Sequence, residues 1–295
     1  MISPETITIG ANTAHPLTVS RLGYGTMRLT GEGIYGEPPN RPEALEVLKT
    51  AVANGVNFLD TADYYGEDVT NRLIKEALYP YTDDLVICTK VGATRKPDKS
   101  WIAYNTPENL RTAIENNLRT LQIEQVQLVH LRMSPHRQAS YEEMLDAMFA
   151  MQQEGKILHV GLSNVTRQEL EQGLQHGPIA SLENMYGYHQ RGTLTEGFGE
   201  TYGGEEVLEL CEQHQIPLIP FFSLFTALPK TGEEDKISQL AKKYNVTAAQ
   251  LNIAWLLHKS PWILPIPGTS QVKHLEENLA AAEIQLTAED MAFLG

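Results

Sequence analysis

Three apolar runs in this sequence end on an ionisable side chain: Phe58-Leu59 on Asp60, Val86-Ile87-Cys88-Thr89 on Lys90, and Val126-Gln127-Leu128-Val129 on His130. A tyrosine, Tyr65, lies shortly after Asp60 and directly precedes Gly66, which lets the chain turn away. Each group alone has an ordinary explanation: a carboxylate that caps a turn, a solvated lysine, a core histidine with its bonds made. Together they read as a proton-donating relay. A phenol is a weak acid with a pKa of about 10. A nearby ammonium lowers that value, and a carboxylate keeps the ammonium charged and in place. A neutral His130 would orient a carbonyl oxygen as negative charge grows on it. The set suits hydride delivery to an aldehyde or ketone with protonation of the oxygen. No side chain supplies a hydride, so a nicotinamide cofactor is implied.

Two other chemistries compete for the same residues. A metal hydrolase would draw on several histidines and carboxylates, commonly His-x-His after the first strand. That strand here ends Gly25-Thr26-Met27, and a lysine is a poor metal ligand, so no metal site is expected. A Schiff-base lysine is the other option, and it leaves Tyr65 without a task.

The elements that must position these groups follow a regular beat. Short apolar segments at 22–26, 57–60, 85–90, 126–130, 159–163, 180–183, 217–221 and 262–266 alternate with amphipathic stretches at 42–54, 69–77, 107–121, 141–153, 167–175, 205–213, 234–244, 248–258 and 272–282. Alternation of this kind predicts parallel β-α-β units. Eight of them predict an α/β fold of the closed (β/α)8 TIM barrel type, formed by a single domain over 1–295, with an N-terminal β-hairpin from 6–9 and 17–19. A doubly wound open sheet would carry G-x-G-x-x-G after its first strand, and Leu22-Gly23-Tyr24-Gly25-Thr26-Met27 lacks the third glycine. A barrel places active groups at the C-terminal ends of its strands, where Asp60, Lys90, His130, Ser163 and Asn164 fall.

Composition narrows the partners. A net charge of −14 over 295 residues disfavours nucleic acid and anionic membranes. The apolar run at 216–225 is interrupted by two prolines, and a membrane span needs about 20 residues. Cys88 and Cys211 offer neither a disulfide framework nor zinc spacing, which suits a reducing cytoplasm. The expected partner is a small-molecule carbonyl substrate; no oligomeric state is implied, and a monomer suffices.

With Phe58-Leu59-Asp60-Thr61-Ala62, Tyr65-Gly66, Val86-Ile87-Cys88-Thr89-Lys90-Val91-Gly92, His130, Gly161-Leu162-Ser163-Asn164-Val165, Ile266-Pro267-Gly268-Thr269-Ser270 and Leu275-Glu276-Glu277-Asn278, the chain resembles the aldo-keto reductases over nearly its whole length. Asn71-Arg72-Leu73, Ala77-Leu78-Tyr79-Pro80 and Pro220-Phe221-Phe222 are most similar to a bacterial branch that includes pyridoxal reductases. The resemblance implies NADP(H) held in extended form. It maps the catalytic tetrad to Asp60, Tyr65, Lys90 and His130, with Tyr65 the general acid; Tyr64 is set aside because the family's tyrosine directly precedes the glycine. It implies carboxamide contacts from Ser163 and Asn164 and a ring stacked on the nicotinamide at Phe221. Further cofactor contacts are expected from Gly25, Thr26, Met27, Phe222, Ser223, Leu224, Gly268, Thr269, Ser270, His274, Glu277 and Asn278.

Three departures stand out. Glu183 occupies a position where the family usually has a glutamine for the carboxamide, and a carboxylate accepts from an amide but donates nothing unless protonated. The fourth strand continues Leu131-Arg132-Met133 where many members have a shorter polar turn, so Arg132 is expected beside the substrate. The phosphate segment has Gly268 and His274 where a lysine and an arginine are usual, which predicts a reduced margin for NADPH over NADH. The loops at 93–106 and 185–202, with Trp101, Tyr104, Tyr188 and Phe198, together with Tyr24 and Phe222, are expected to stack a flat substrate. A nicotinamide-binding sensor or regulatory subunit with little turnover is the alternative to the enzyme.

Overall fold

The structure, a computed structural model, describes residues 5–134, 136–189, 191, 204–224 and 235–295; Phe198 lies outside them. Strands β1 (Thr6–Ile9) and β2 (Leu17–Ser20) pair antiparallel as the N-terminal hairpin. Its inward residues Ile7, Ile9 and Val19 pack on Phe58, Val86, Cys88, Leu128 and Ala180 from the early positions of the barrel strands. The hairpin thus plugs the N-terminal end and leaves the other end for chemistry.

The strands β3 (Tyr24–Gly25), β4 (Phe58–Asp60), β5 (Val86–Arg95), β6 (Trp101–Tyr104), β7 (Val126–Arg132), β8 (Ile157–Ser163) and β9 (Ile179–Glu183) follow. All but β6 join in one parallel sheet in the order β3-β4-β5-β7-β8-β9. The last two barrel positions, expected as strands at 217–221 and 262–266, are held by the isolated bridges Leu182↔Leu218 and Leu218↔Ile263. Pro217, Pro220, Pro265 and Pro267 lack the N–H that a regular ladder requires. Closure is still complete, because Gly23 N donates to Pro265 O at 2.9 Å and Leu218 N to Trp262 O at 2.8 Å. The result is the (β/α)8 barrel, with its hairpin.

Helices α1 (Arg41–Ala53), α2 (Val69–Leu78), α3 (Pro107–Leu121), α4 (Tyr141–Gln153), α5 (Arg167–His176), α6 (Glu205–His214), α7 (Lys236–Tyr244), α8 (Ala248–Lys259), α9 (Val272–Ala280) and α10 (Ala288–Leu294) complete the fold. Their starts are written in the sequence: Ser140, Thr166, Thr247 and Thr287 each close a capping box with the residue three further on. On α3 the stripe Leu110, Ala113, Ile114 and Leu121 is buried against the sheet. Among the described residues no helix is long and apolar enough to cross a membrane.

The expected loop at 93–106 is instead a β-hairpin. β5 runs on to Arg95, turns over Lys96-Pro97-Asp98-Lys99 and returns as β6. The Arg95 guanidinium ties it down, donating to Gly33 O at 2.8 Å and Ile34 O at 3.0 Å, with its carbon 4.1 Å from the Trp101 ring centroid.

Candidate active site

At the C-terminal end of the strands lies a cleft of about 1020 Å3. Asp60 ends β4 and Lys90 lies within β5, and parallel pairing brings them together: Lys90 Nζ donates to Asp60 Oδ1 at 2.5 Å and to Thr61 O at 3.1 Å. Glu183, the last residue of β9, brings Oε1 to 3.4 Å from the same nitrogen. All three side chains are almost fully buried. Removing one partner of such a cluster leaves an unbalanced buried charge, at roughly 3–5 kcal/mol. Burial disfavours the Lys90 charge, but Asp60 and Glu183 outweigh it and hold the ammonium well above its ordinary pKa. Burial and the Glu183 charge raise Asp60, against the pull of Lys90. Burial also opposes ionisation of Glu183, yet Lys90 and His130 together bring it below its ordinary value.

Tyr65 is placed over this cluster, with Lys90 Nζ 5.2 Å from its ring centroid, and it lines the cleft. Burial pushes its hydroxyl up to about 12; Lys90 and Arg132 pull down, while Asp60 and Glu183 push up. The expectation of a phenol softened by the ammonium is thus reversed in sign, because desolvation and two carboxylates exceed the pull of the cation. The group is a phenol at neutral pH.

His130, expected to orient the carbonyl oxygen, is wholly buried and does not line the cleft. Its Nε2 lies 2.8 Å from Ser181 Oγ, and its Nδ1 lies 3.2 Å from Cys88 Sγ and 3.1 Å from Glu183 Oε2. A Cβ on Gly161 would strike the His130 ring at 2.4 Å, so the ring is walled in. Burial lowers its pKa and keeps it neutral. β7 continues past it, and the side chain that emerges is Arg132, which lines the cleft. Among the described residues its guanidinium makes no hydrogen bond or ion pair; its carbon is 5.8 Å from the Phe221 ring centroid.

Tyr24, expected at the substrate, has a wholly buried ring, and its hydroxyl donates to Thr269 O at 2.5 Å. Thr26 is buried behind the cleft and donates to Asp60 O at 2.9 Å, which makes it a support for Asp60. The cleft lining includes Gly25, Met27, Asn164, Phe221, Phe222, Ser223, Leu224, Gly268 and Trp101. Asn164 takes a left-handed turn (φ 57°) that asparagine tolerates, directly after β8. Ser163 Oγ and Asn164 Oδ1 are buried without a partner. Ser270 and His274 are exposed around the start of α9, Thr269 Oγ1 accepts from Gln271 N at 3.2 Å, Glu277 lies 3.7 Å from Lys273, and Asn278 is buried.

The sequence reading passed over several lining residues: Arg28, Ile34, Lys96, Met133 and His136. Tyr64, set aside as the proton donor, also lines the cleft; its ring meets Tyr65 edge-on at 5.3 Å and Trp101 at 5.5 Å. The signal for the hairpin was present, since Pro97-Asp98 before Trp101-Ile102-Ala103-Tyr104 is a turn before a β-prone run. Asn184 was missed as well. It clamps the loop after β8 by accepting from Val165 N at 3.2 Å and donating to Val165 O at 2.7 Å.

Comparison with known proteins agrees with this architecture. The family model described as Aldo/keto reductase family matches residues 21–294. Pyridoxine 4-dehydrogenase of Escherichia coli is 39% identical over 300 residues, covering 99% of this chain and 98% of the relative. An uncharacterised oxidoreductase of Schizosaccharomyces pombe is 38% identical over 280 residues, with 94% and 86% covered. Among solved structures, a thermostable aldo-keto reductase in complex with the inhibitor epalrestat superposes with a TM-score of 0.80 at 29% identity, covering 98% of each chain. An aldo/keto reductase from Klebsiella pneumoniae in complex with NADP and acetate gives 0.77 at 24% identity, covering 99% of this chain and 94% of the other. With a closed barrel, a buried Asp60–Lys90 pair beneath Tyr65 and a family match over nearly its whole length, the chain belongs to the aldo/keto reductase family.

Proposed function

We propose that this protein reduces small aromatic aldehydes to alcohols with NADPH, Tyr65 supplying the proton. The observation that carries the reading is the buried Asp60–Lys90 ion pair under Tyr65, which lines the cleft with its ring centroid 5.2 Å from the ammonium. The residues fit the cofactor: Ser163 Oγ and Asn164 Oδ1 are orphaned polar atoms suited to a carboxamide, and Gly25 and Gly268 keep the groove free of side chains. Phe221 offers a flat apolar face, and Arg28, exposed beside Gly268, is a cation for the phosphates that the missing lysine and arginine do not supply. When bound, NADPH supplies the hydride.

The protein's own work is to bind the carbonyl and place a proton. Tyr65 donates to the carbonyl oxygen as its carbon gains the hydride. Arg132 takes the place expected for His130 and donates hydrogen bonds to the same oxygen while charge grows there. Tyr64, Trp101, Phe221 and Phe222 flank a flat substrate. The name of the Escherichia coli relative puts a ring-borne alcohol, pyridoxine, in the same class. The test is NADPH oxidation over a panel of aromatic and aliphatic aldehydes of matched size, with and without a chelator. Higher kcat/KM for the aromatic members, indifferent to the chelator, is expected. Equal values would remove the stacking element, and NADPH bound but oxidised by no aldehyde would favour a nicotinamide-binding sensor.

A further inference from the structure

Lys90 has two carboxylate neighbours where one would hold it. Asp60 and the Thr61 carbonyl already give the ammonium a fixed site, and Glu183 is an addition at 3.4 Å. Burying a second carboxylate costs free energy unless a charge balances it. Lys90 is shared between the two carboxylates, and a second cation, Arg132, faces the cleft. Arg132 lines the same cleft as Glu183, has no ion pair among the described residues, and its field acts on Glu183, Asp60 and Tyr65 alike. Two of the positions at which the chain departs from its family's usual residues thus carry opposite charges around one phenol.

We infer that Glu183 is a positioning residue for the proton donor: from its place against Lys90 it offsets, with Asp60, the positive charge that Lys90 and Arg132 bring to the cleft, and so makes the Tyr65 phenolate harder to form. The charged groups around Tyr65 are Asp60 on β4, Lys90 on β5, Arg132 on β7 and Glu183 on β9, two of each sign, with the neutral Tyr64 next to it on its own loop. His130, also neutral, stands behind Glu183. With glutamine at 183 the cations would outnumber the anion, and the phenolate would form more readily than in the parent, although burial still opposes it. A phenolate cannot give a proton to a carbonyl oxygen. It can only accept one from an alcohol, whose hydride would then pass to NADP+. Glu183 therefore biases the site toward reduction, an inference that rests on Tyr65 being the proton donor.

Glu183→Gln tests this, since it keeps the side chain's shape and removes its charge. The rate of alcohol oxidation with NADP+ should rise with pH as the phenol ionises. In the parent the rise should continue without a plateau to about pH 10 or beyond. In Glu183→Gln the limb should move to lower pH by about one unit, the scale for removing a like charge a few ångströms away. The Kd for NADPH should change little. An unmoved limb with an altered Kd would overturn the inference and leave Glu183 as a carboxamide contact. If the variant fails to fold, the parent alone can still overturn the inference, by a plateau below about pH 9. A parent that turns over no carbonyl or alcohol would count against the reading of the site. Tyrosinate absorbance, each protein minus its Tyr65→Phe version, then tests Glu183 without turnover: Glu183→Gln should titrate lower, and an unmoved titration would overturn the inference.

Discussion

Gly25 and Gly268 meet backbone to backbone at the edge of the cleft: a Cβ on Gly268 would stand 2.6 Å from the Gly25 carbonyl oxygen, and one on Gly25 would stand 2.7 Å from the Ile266 carbonyl oxygen. Neither oxygen belongs to a side chain that could swing away. The two glycines let the first and last barrel positions close, and they leave a bare groove where a cofactor would lie. Gly268→Ala is therefore expected to cost about 1–3 kcal/mol in denaturant unfolding, the scale of overpacking, and to weaken NADPH binding. An unchanged midpoint and Kd would mean that the two backbones part freely.

His130 and Arg132 lie two residues apart on β7, and they are expected to fail differently. Arg132→Leu should lower kcat/KM by about 10²-fold, the scale for losing one donor to a developing oxyanion, with the melting temperature little changed. His130→Gln should leave kcat/KM within a few-fold. Its mark is on acid stability. Burial holds the His130 pKa below 6.5, so the unfolded chain takes up the proton first as pH falls. The stability that neutral His130 retains above about pH 6.5 is lost below it, down to the folded value. His130→Gln should flatten the fall in unfolding free energy between about pH 7 and pH 5. A parent-like slope in the variant, or a large loss of activity, would return His130 to the chemistry.

Cofactor binding and cofactor discrimination are expected to rest on different positions. Arg28 stands beside Gly268, within the groove, whereas His274 is exposed at the start of α9. Arg28→Ala should weaken NADPH and NADH together, as loss of a shared phosphate contact would. His274→Ala should weaken NADPH alone, by about a few-fold, the scale of one exposed contact. Isothermal titration with both cofactors separates them; equal effects of the two variants on both cofactors would remove the division.

Much of this was readable because barrel strands and helices differ in period, and because capping residues such as Ser140 and Thr166 mark helix starts plainly. The Asp60–Lys90 pair was readable because ionisable residues end successive apolar runs, and parallel pairing of those runs brings the ends together. The depth of His130 was not readable because its strand runs two residues beyond the expected end. Leu128, His130 and Arg132 alternate onto one face of β7, and the strand continues to Arg132, so His130 lies one layer deeper. The burial of Tyr24 was not readable either: a tyrosine near a strand end reads as a cleft residue, and only the fold shows Thr269 O waiting for its hydroxyl. The contact between Glu183 and Lys90 could not be read at all, since β5 and β9 are far apart in sequence and meet only when the sheet curls.

The central claim is that Tyr65 donates the proton, and single-turnover kinetics of Tyr65→Phe test it most directly. The ring is kept and only the hydroxyl is lost, so NADPH should bind with a Kd close to the parent's. Oxidation of bound NADPH by an aromatic aldehyde, followed in stopped flow, should slow by at least about 10²-fold, the usual scale of general acid catalysis. A variant that turns over within a few-fold of the parent would contradict the assignment and leave the buried Asp60–Lys90–Glu183 cluster without its proton donor.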